Sequence, residues 1–488
     1  MIDLKKTDQG IVETEHTLAI DGEYDVIVVG AGPAGVGAGI AASKAGCKTL
    51  IIEDTSALGG LLTMGLVNIP LDPVSGIGQE MFDELEAVTG LWHRNSDPEK
   101  NKLVLDRMVK KAGCDVLLLT KAVDSIVMGN KICGVVTESK AGRKAILAKR
   151  VIDCSGDADV AYFAGVEVNM GRASDGMNQA CSLDFRLGGV DWDTYVKCEI
   201  KAKDPRWLEI IKKGLSSGDL PFEVDNHLNW LTHVPGRPEH CGMDEVSICF
   251  AHSRNCKPLD NHDLTRMYFE GREEVDFLWK FIKKYVPGFE RAYVVDTAPL
   301  LGVRDTRRIV GEYVLTGYDV VSCAQFDDVI CLSNHGFDVH GPDCTGNQKW
   351  IEMEFDGEKK YAIFNMSGIG STTLPPDPAK YVNYKGEPLE TAAFDRKYHE
   401  IPYRSLVPLK VDNLLVAGRC LSSDFMAQSA FRLIIACMTM GEAAGTATAI
   451  SLKKDIVPRK VERLELQKTL VDNGVNIGQH YRQIPGVN

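Results

Sequence analysis

Residues 24–29 form a short apolar run that ends at Gly30, residues 36–45 are a stretch of small residues with helical character, and residues 49–52 are a second apolar run. Short apolar runs bounded by turn residues read as buried strands, so the chain opens with a β-α-β unit. The pattern then predicts a helix over 103–111, a strand over 115–119 and a β-rich stretch over 123–150. A buried strand at 151–154 follows and runs into Ser155-Gly156-Asp157. From about 171 to 399 the polar stretches lengthen and most of the Trp and His residues appear, while 375–388 reads as an ordered crossing loop. Residues 413–417 resume the short apolar runs of the N-terminal part, as a strand ending in Gly418-Arg419. The nearly all-apolar segment 433–450 contains Glu442 and is crowded with Gly441, Ala443, Ala444, Gly445 and Ala447, which marks a buried helix rather than a membrane span.

Composition narrows this picture. The 488 residues are 44% hydrophobic, enough for a substantial core and for two or three domains, and the net charge of -13 repels nucleic acid and anionic membranes. Neither partner is expected. Fourteen cysteines without a CxxC pair or a zinc-type Cys/His spacing point to a reducing compartment and to no metal. Residues 1–23 mix charges of both signs around no apolar centre, so they resemble neither a signal peptide nor a transit sequence, and a cytoplasmic location is expected.

The turn Gly30-Ala31-Gly32-Pro33-Ala34-Gly35 fits GxGxxG between a strand and a helix. Gly30 allows the tight turn, Gly32 lets backbone approach a pyrophosphate, and Gly35 allows close helix packing. The helix start offers unpaired N–H groups to phosphates. Glu53, at the end of the second strand, is placed to accept hydrogen bonds from a ribose hydroxyl. Asp54 follows it, and soon after come Gly59, Gly60 and Leu61.

The glycine pair resembles the extended dinucleotide motif of two-motif flavoproteins of the glutathione-reductase type. Val151-Ile152-Asp153-Cys154-Ser155-Gly156-Asp157 resembles the ATG-D motif of that class with Cys-Ser for Ala-Thr, and 413–419 resembles its C-terminal flavin motif. The chain is also similar to the group called FAD-dependent oxidoreductases, some members of which carry labels such as xanthan lyase. That resemblance rests on 301–308 (LGVRDTRR), 401–408 (IPYRSLVP) and 440–445 (MGEAAG).

The resemblance implies FAD as cofactor and an α/β fold: a Rossmann-like FAD-binding domain with an inserted α+β substrate domain. The FAD domain is expected over 1–170 and 401–488, and the substrate domain over 171–400 with a return through the FAD domain near 296–320. Ala122 and Ala427 complete the expected cofactor set of Gly30, Gly32, Pro33, Ala34, Gly35, Glu53, Asp54, Gly59, Gly60, Leu61, Ser155, Gly156, Asp157, Gly418 and Arg419. By analogy with related flavoproteins, residues 426–429 would form the end of the final helix that points at the flavin pyrimidine ring, where its partial positive charge favours the anionic reduced form. A His often follows the Gly-Arg strand in the family, but Asp424-Phe425-Met426 stands here, so no proton-transfer role is carried over to that position.

No second nucleotide-binding turn is found, so an external electron acceptor or donor is expected beside a small-molecule substrate, in a possible homo-oligomer. Flavin chemistry moves a hydride and leaves the protein to move a proton, for which histidine is the usual candidate. His335 and His340 lie in one short stretch and face opposite sides if it is extended. The family's Asp-Ile-His pattern favours His340, with a structural role as the alternative. His227, His233, His240, His252 and His262 read as surface or loop groups. Arg304, with Arg307 and Arg308, forms a cationic cluster that would hold a carboxylate, stabilise a reduced flavin, or simply pair with Asp305 and Glu312. Tyr403 and Arg404 precede the last flavin strand, where flavin would meet substrate. The reading is an FAD-dependent dehydrogenase of a small polar CH–OH compound such as a sugar or glycoside. The alternatives are a flavin-dependent reductase of an activated C=C bond, with Arg304 as proton donor, and a non-redox or electron-transfer-subunit use of FAD.

Overall fold

The computed structural model describes residues 4–8, 10–13, 15–70, 73–89, 95–204, 207–221, 230–235, 243–344, 347–364, 378–383, 385–388 and 398–487. His227 and His240 lie outside the described residues, as does part of the crossing loop expected over 375–388.

A seven-stranded sheet forms the nucleotide-binding layer. Asp115–Leu117, Thr49–Ile52, Ile20–Val29 and Gly142–Asp153 run side by side in parallel, and Leu414–Val416 adds a parallel partner to Gly142–Asp153. Val26, Ile27 and Val28 are wholly buried, as a parallel strand covered on both faces requires. Lys121–Met128 and Lys131–Ser139 extend the sheet antiparallel.

Two helices of small residues cover one face. Pro33–Lys44 packs along Ile434–Lys453, and a Cβ added at Gly441 would lie 1.9 Å from the Ala34 carbonyl oxygen, one at Gly445 2.3 Å from that of Ala38. The pair therefore meets backbone to backbone. Ile434–Lys453 is long and apolar enough to cross a membrane by length and composition, but 94% of its most apolar window is buried inside the protein.

The expected single terminal helix is two helices. Asp424 caps a separate short helix, Phe425–Phe431, and the chain becomes extended at Leu433 before the long helix begins. Residues 426–429 therefore do not start the long helix.

A second sheet is inserted after Gly142–Asp153, in the order Trp230–His233, Asp244–Ser253, Cys181–Val190, Tyr293–Thr297. One of its faces is apolar: Leu183, Phe185 and Leu187 pack with Val275, Leu278 and Phe281 of the helix Asn261–Tyr285. This second core closes at Leu301, whereas Leu315 to Phe337 contribute to the main core. Because side chains alternate along a strand, Ser182, Asp184 and Arg186 occupy the opposite face. All three are buried, as are Thr232, Ser247 and His252 on the neighbouring strands.

That polar face meets the nucleotide-binding layer. Thr232 Oγ1 donates to Asn68 Oδ1 at 2.5 Å, Ser247 Oγ donates to the Leu66 carbonyl at 3.0 Å, and Ser182 pairs with Gly302.

Candidate functional site

Gly30 has φ +90°, and a Cβ there would sit 2.5 Å from the Cys154 carbonyl oxygen, so both conformation and space require glycine. At Gly32 an added Cβ would meet nothing within 4 Å, and this residue caps Pro33–Lys44 with no side-chain hydrogen bond. The open space over an uncapped helix start fits a pyrophosphate. Ala34 is buried in the first turn, while Pro33 is partly exposed beside the opening. Gly35 lies so close to the Gly30 carbonyl that a Cβ would be 1.7 Å from its oxygen.

Glu53 Oε2 accepts from the Ala31 N–H at 2.6 Å and Oε1 from the Thr55 N–H at 2.9 Å, which anchors the acid at the mouth of the turn. Burial pushes its carboxyl above the ordinary value, opposed by those two donors. Asp54 is exposed beside it. Thr120 N–H donates to the Glu53 carbonyl at 2.9 Å, which brings the buried Ala122 strand to the same end. Gly59 N–H donates to the Ala31 carbonyl at 2.7 Å, and a Cβ on Gly60 would be 3.0 Å from the Gly32 Cα. The Gly59-Gly60-Leu61 segment thus folds back over the first turn.

The later motifs are clamped together by side chains. Arg419 donates through Nε to the Gly156 carbonyl at 2.8 Å and through Nη2 to Asp157 Oδ1 at 2.5 Å, and Thr306 Oγ1 donates to the same Asp157 oxygen at 2.7 Å. Asp153, fully buried, accepts from Ser155 N–H and Oγ–H and from Ala161 N–H; burial still pushes it up to about 6. Gly418 stands beside Ala34, an added Cβ falling 3.1 Å from the Ala34 Cβ. Ala427 N–H is taken by its own cap, Asp424 Oδ1, at 2.7 Å, and Asp424 Oδ2 receives the Gly317 N–H at 2.8 Å.

Next to the Gly418-Arg419 turn lies a buried polar cluster. Gln428 Nε2 donates to the Arg304 carbonyl at 2.7 Å and reaches the Arg419 carbonyl at 3.4 Å, while its Oε1 accepts from Gln179 Nε2 at 3.2 Å. Arg304, 8% exposed, donates from Nη1 to the Ala180 carbonyl at 2.7 Å and from Nη2 to His252 Nε2 at 3.2 Å. Arginine only donates, so His252 Nε2 is an acceptor, and its Nδ1 carries the hydrogen that reaches the Phe250 carbonyl at 3.1 Å.

The His252 ring stacks on that of His340, with centroids 5.6 Å apart. His340 Nε2 is 3.4 Å from Asp338 Oδ2, and Asp338 also holds Lys349 at 2.7 Å and Arg432 at 3.0 Å. Burial alone would raise Asp338, but Lys349, His340 and Arg432 together hold it well below the usual carboxylate range. Beside His252 the surface opens into a cleft of about 770 Å³ that includes Arg254, Lys257, Arg266 and Glu274.

The other sequence candidates do not join the Arg304–His252–His340 contacts, although His335 lies close enough to Asp338, Lys349 and Arg432 to feel their charges. His335 Nδ1 contacts the Gly336 carbonyl at 2.7 Å, and burial lowers its pKa to about 4. Only Val339–His340 of that segment is a strand. Arg307 and Arg308 reach Asp159 at 2.8 Å and the Gly171 carbonyl at 2.8 Å. Tyr403 is buried and its hydroxyl donates to the Pro458 carbonyl at 2.9 Å; Arg404 is bidentate on Asp328 at 2.9 and 3.0 Å. Neither of these two side chains joins the Arg304 cluster.

Sequence reasoning passed over most of the cluster, Gln179, Asp338, Lys349 and Arg432 among it, and two further residues of the inserted sheet. His252 was expected at the surface or in a loop, yet it is a buried strand residue. Asp184 was not singled out. Only the alternation of Ser182, Asp184 and Arg186 with Leu183, Phe185 and Leu187 signals a buried polar face, and it leaves open what that face meets.

A family model described as FAD dependent oxidoreductase matches residues 25–366 and 377–470. The thiamine thiazole synthase of Aeropyrum pernix is 38% identical over 116 residues, which is 23% of this chain and 43% of that protein. Digeranylgeranylglycerophospholipid reductase 2 of Methanopyrus kandleri is 30% identical over 154 residues, 28% of this chain and 38% of that protein. The chain therefore spans less than half the length of each of these curated relatives. Among solved structures, a geranylgeranyl bacteriochlorophyll reductase-like protein from Thermoplasma acidophilum is 14% identical, covering 94% of this chain and 85% of that one with a TM-score of 0.41.

Proposed function

The chain belongs to the FAD dependent oxidoreductase family, and from that premise we propose that it dehydrogenates a small polar molecule at a CH–OH carbon. Bound FAD supplies the hydride chemistry. The observation that carries the reading is the buried His340–Asp338 pair, 3.4 Å apart, in a cluster tied through Gln428 to the Gly418-Arg419 turn. A histidine whose Nε2–H is held by a carboxylate keeps Nδ1 as the proton acceptor, the arrangement expected of a general base. His340 Nδ1 takes the hydroxyl proton, Asp338 stabilises the cation that forms, and Arg304 holds the His252 ring that stacks on His340. Electrons pass to an external acceptor, and the cysteine-rich, reduced chain suits a cytoplasmic setting. The sugar or glycoside expected from the sequence has no counterpart among the relatives named above, so the reading keeps only the small hydroxylated class.

Anaerobic mixing with a panel of sugars, hydroxy acids and amines tests it. At least one hydroxylated compound bleaches the flavin, and none doing so removes the dehydrogenase reading. A second reading, reduction of an activated C=C bond with Arg304 as proton donor, is favoured by the burial of Arg304 beside His252. Dithionite-reduced protein that is reoxidised by an enoate and not by a ketone selects it.

A further inference from the structure

The inserted sheet buries its two faces differently. The face toward Asn261–Tyr285 is hydrocarbon, and the other carries Ser182, Asp184, Arg186, Ser247 and His252 against the nucleotide-binding layer. Most of these polar groups are satisfied. Arg186 is bidentate on Asp296 at 2.8 and 2.5 Å, Ser247 binds the Leu66 carbonyl, and His252 is fixed by Arg304 and Phe250.

Two buried atoms of this face take no hydrogen bond from any described residue, Arg186 Nη1 and Asp184 Oδ1; the first still lies 3.6 Å from the Glu245 carboxylate. Asp184 is 4% exposed. Cys249, Ser182 and the Arg304 cation lie around its carboxylate. A buried carboxylate with an unused oxygen opposes folding, and a fold that retains one needs a compensating use.

We propose that Asp184 anchors the substrate: its Oδ1 accepts a hydrogen bond from a hydroxyl or amino group of the molecule that reacts at the flavin. The ligand class is accordingly a small hydrogen-bond donor, neutral and hydroxylated or cationic, and not a hydrocarbon. Arg304 links this anchor to the His252–His340 pair, since its Nη2 lies on His252 Nε2 and its charge faces Asp184. The inference rests on the dehydrogenase reading only in taking the polar face as the substrate chamber.

A group held in the fold for a ligand, at a cost to stability, has a signature that a structural group lacks. Burial pushes Asp184 up to about 6 from an ordinary 3.8. The fold therefore holds a proton that the unfolded chain has lost, and stability falls as the pH rises from about 4 to about 6. FAD-loaded D184N and D184L are expected to melt above wild type at pH 8. Their advantage shrinks below pH 6 and vanishes near pH 4.

The binding arm uses flavin difference spectra with glycerol, D-glucose, L-lactate and ethanolamine, with toluene as the donor-free control. Donor-bearing probes perturb the wild-type flavin and bind about tenfold or more weakly to D184N and D184L. Melting temperatures lowered by both substitutions, equal spectra in wild type and D184L, or a spectrum that no donor-bearing probe perturbs would each overturn the proposal. Perturbation that depends on Asp184 without bleaching leaves the anchor standing and removes the dehydrogenase reading instead.

Discussion

At the Gly30 turn the protein works by leaving side chains out, whereas on the polar face of the inserted sheet it works by burying them. The first region has almost no side chain to titrate: Gly30, Gly32 and Gly35 bring backbone to backbone and leave one opening over the helix start. The second buries Arg304, His252, His340 and Asp184 and holds the partly exposed Asp338 and Arg432 beside them. Burying ionic groups costs stability unless each is partnered, so a cluster of this density is maintained for chemistry or recognition. The difference teaches that the glycine turn rests on shape and is intolerant of added volume, while the polar cluster rests on charge pairing and is sensitive to changes that leave volume alone.

The sharpest way to break the contrast is to add volume to the first region. Gly441→Leu drives a side chain into the Ala34 carbonyl, and the protein is expected to lose about 3 kcal/mol or more of stability together with its FAD, read by thermal melting and by flavin content after purification. A well-folded, yellow G441L protein would show that the helix pair is not close-packed.

His340→Asn is the matching change in the second region. It should keep FAD and lower the rate of flavin reduction about 100-fold or more, measured by anaerobic stopped flow with whichever compound bleaches the wild type. Loss of FAD in H340N would mean that the cluster serves cofactor holding after all.

Glu53→Gln tests the buried carboxylate of the nucleotide end. Equilibrium dialysis should find FAD held about tenfold more weakly, and the apoprotein should melt somewhat lower, because the Gln amide oxygen can accept from only one of the Ala31 and Thr55 N–H donors and turns an NH2 group toward the other.

The smallest effect is one of pH. His399 is buried, which lowers it to about 4 from an ordinary 6.5. The unfolded chain then binds a proton that the fold refuses, so the contribution is complete above pH 6.5 and is lost as the pH falls toward 4. His399→Gln should flatten that part of the curve of melting temperature against pH; an unchanged slope would assign the acid sensitivity to other groups.

Legibility in the sequence followed the same division. The β-α-β opening, Glu53, the Gly59-Gly60 pair and the strand before Gly418-Arg419 are local patterns, because a tight turn or a buried parallel strand restricts residue type where it stands. The substrate side reads poorly. His252 sits in an ordinary strand, Asp184 in an alternating one, and the contacts joining His252 to Arg304 and His340 cross long stretches of chain. Tyr403 and Arg404 illustrate the converse: proximity in sequence to the flavin strand led to an expected role at the site, and packing turned their side chains to Pro458 and Asp328.

By itself, then, the sequence determined the class of fold and the cofactor, since backbone conformation and hydropathy are properties of neighbouring residues. Tertiary structure alone decided which histidine meets the arginine, that the terminal helix breaks at Arg432, and that Asp184 is buried with an unused oxygen. Burial and charge pairing are made between distant segments, and they exist only once the two layers have closed on one another.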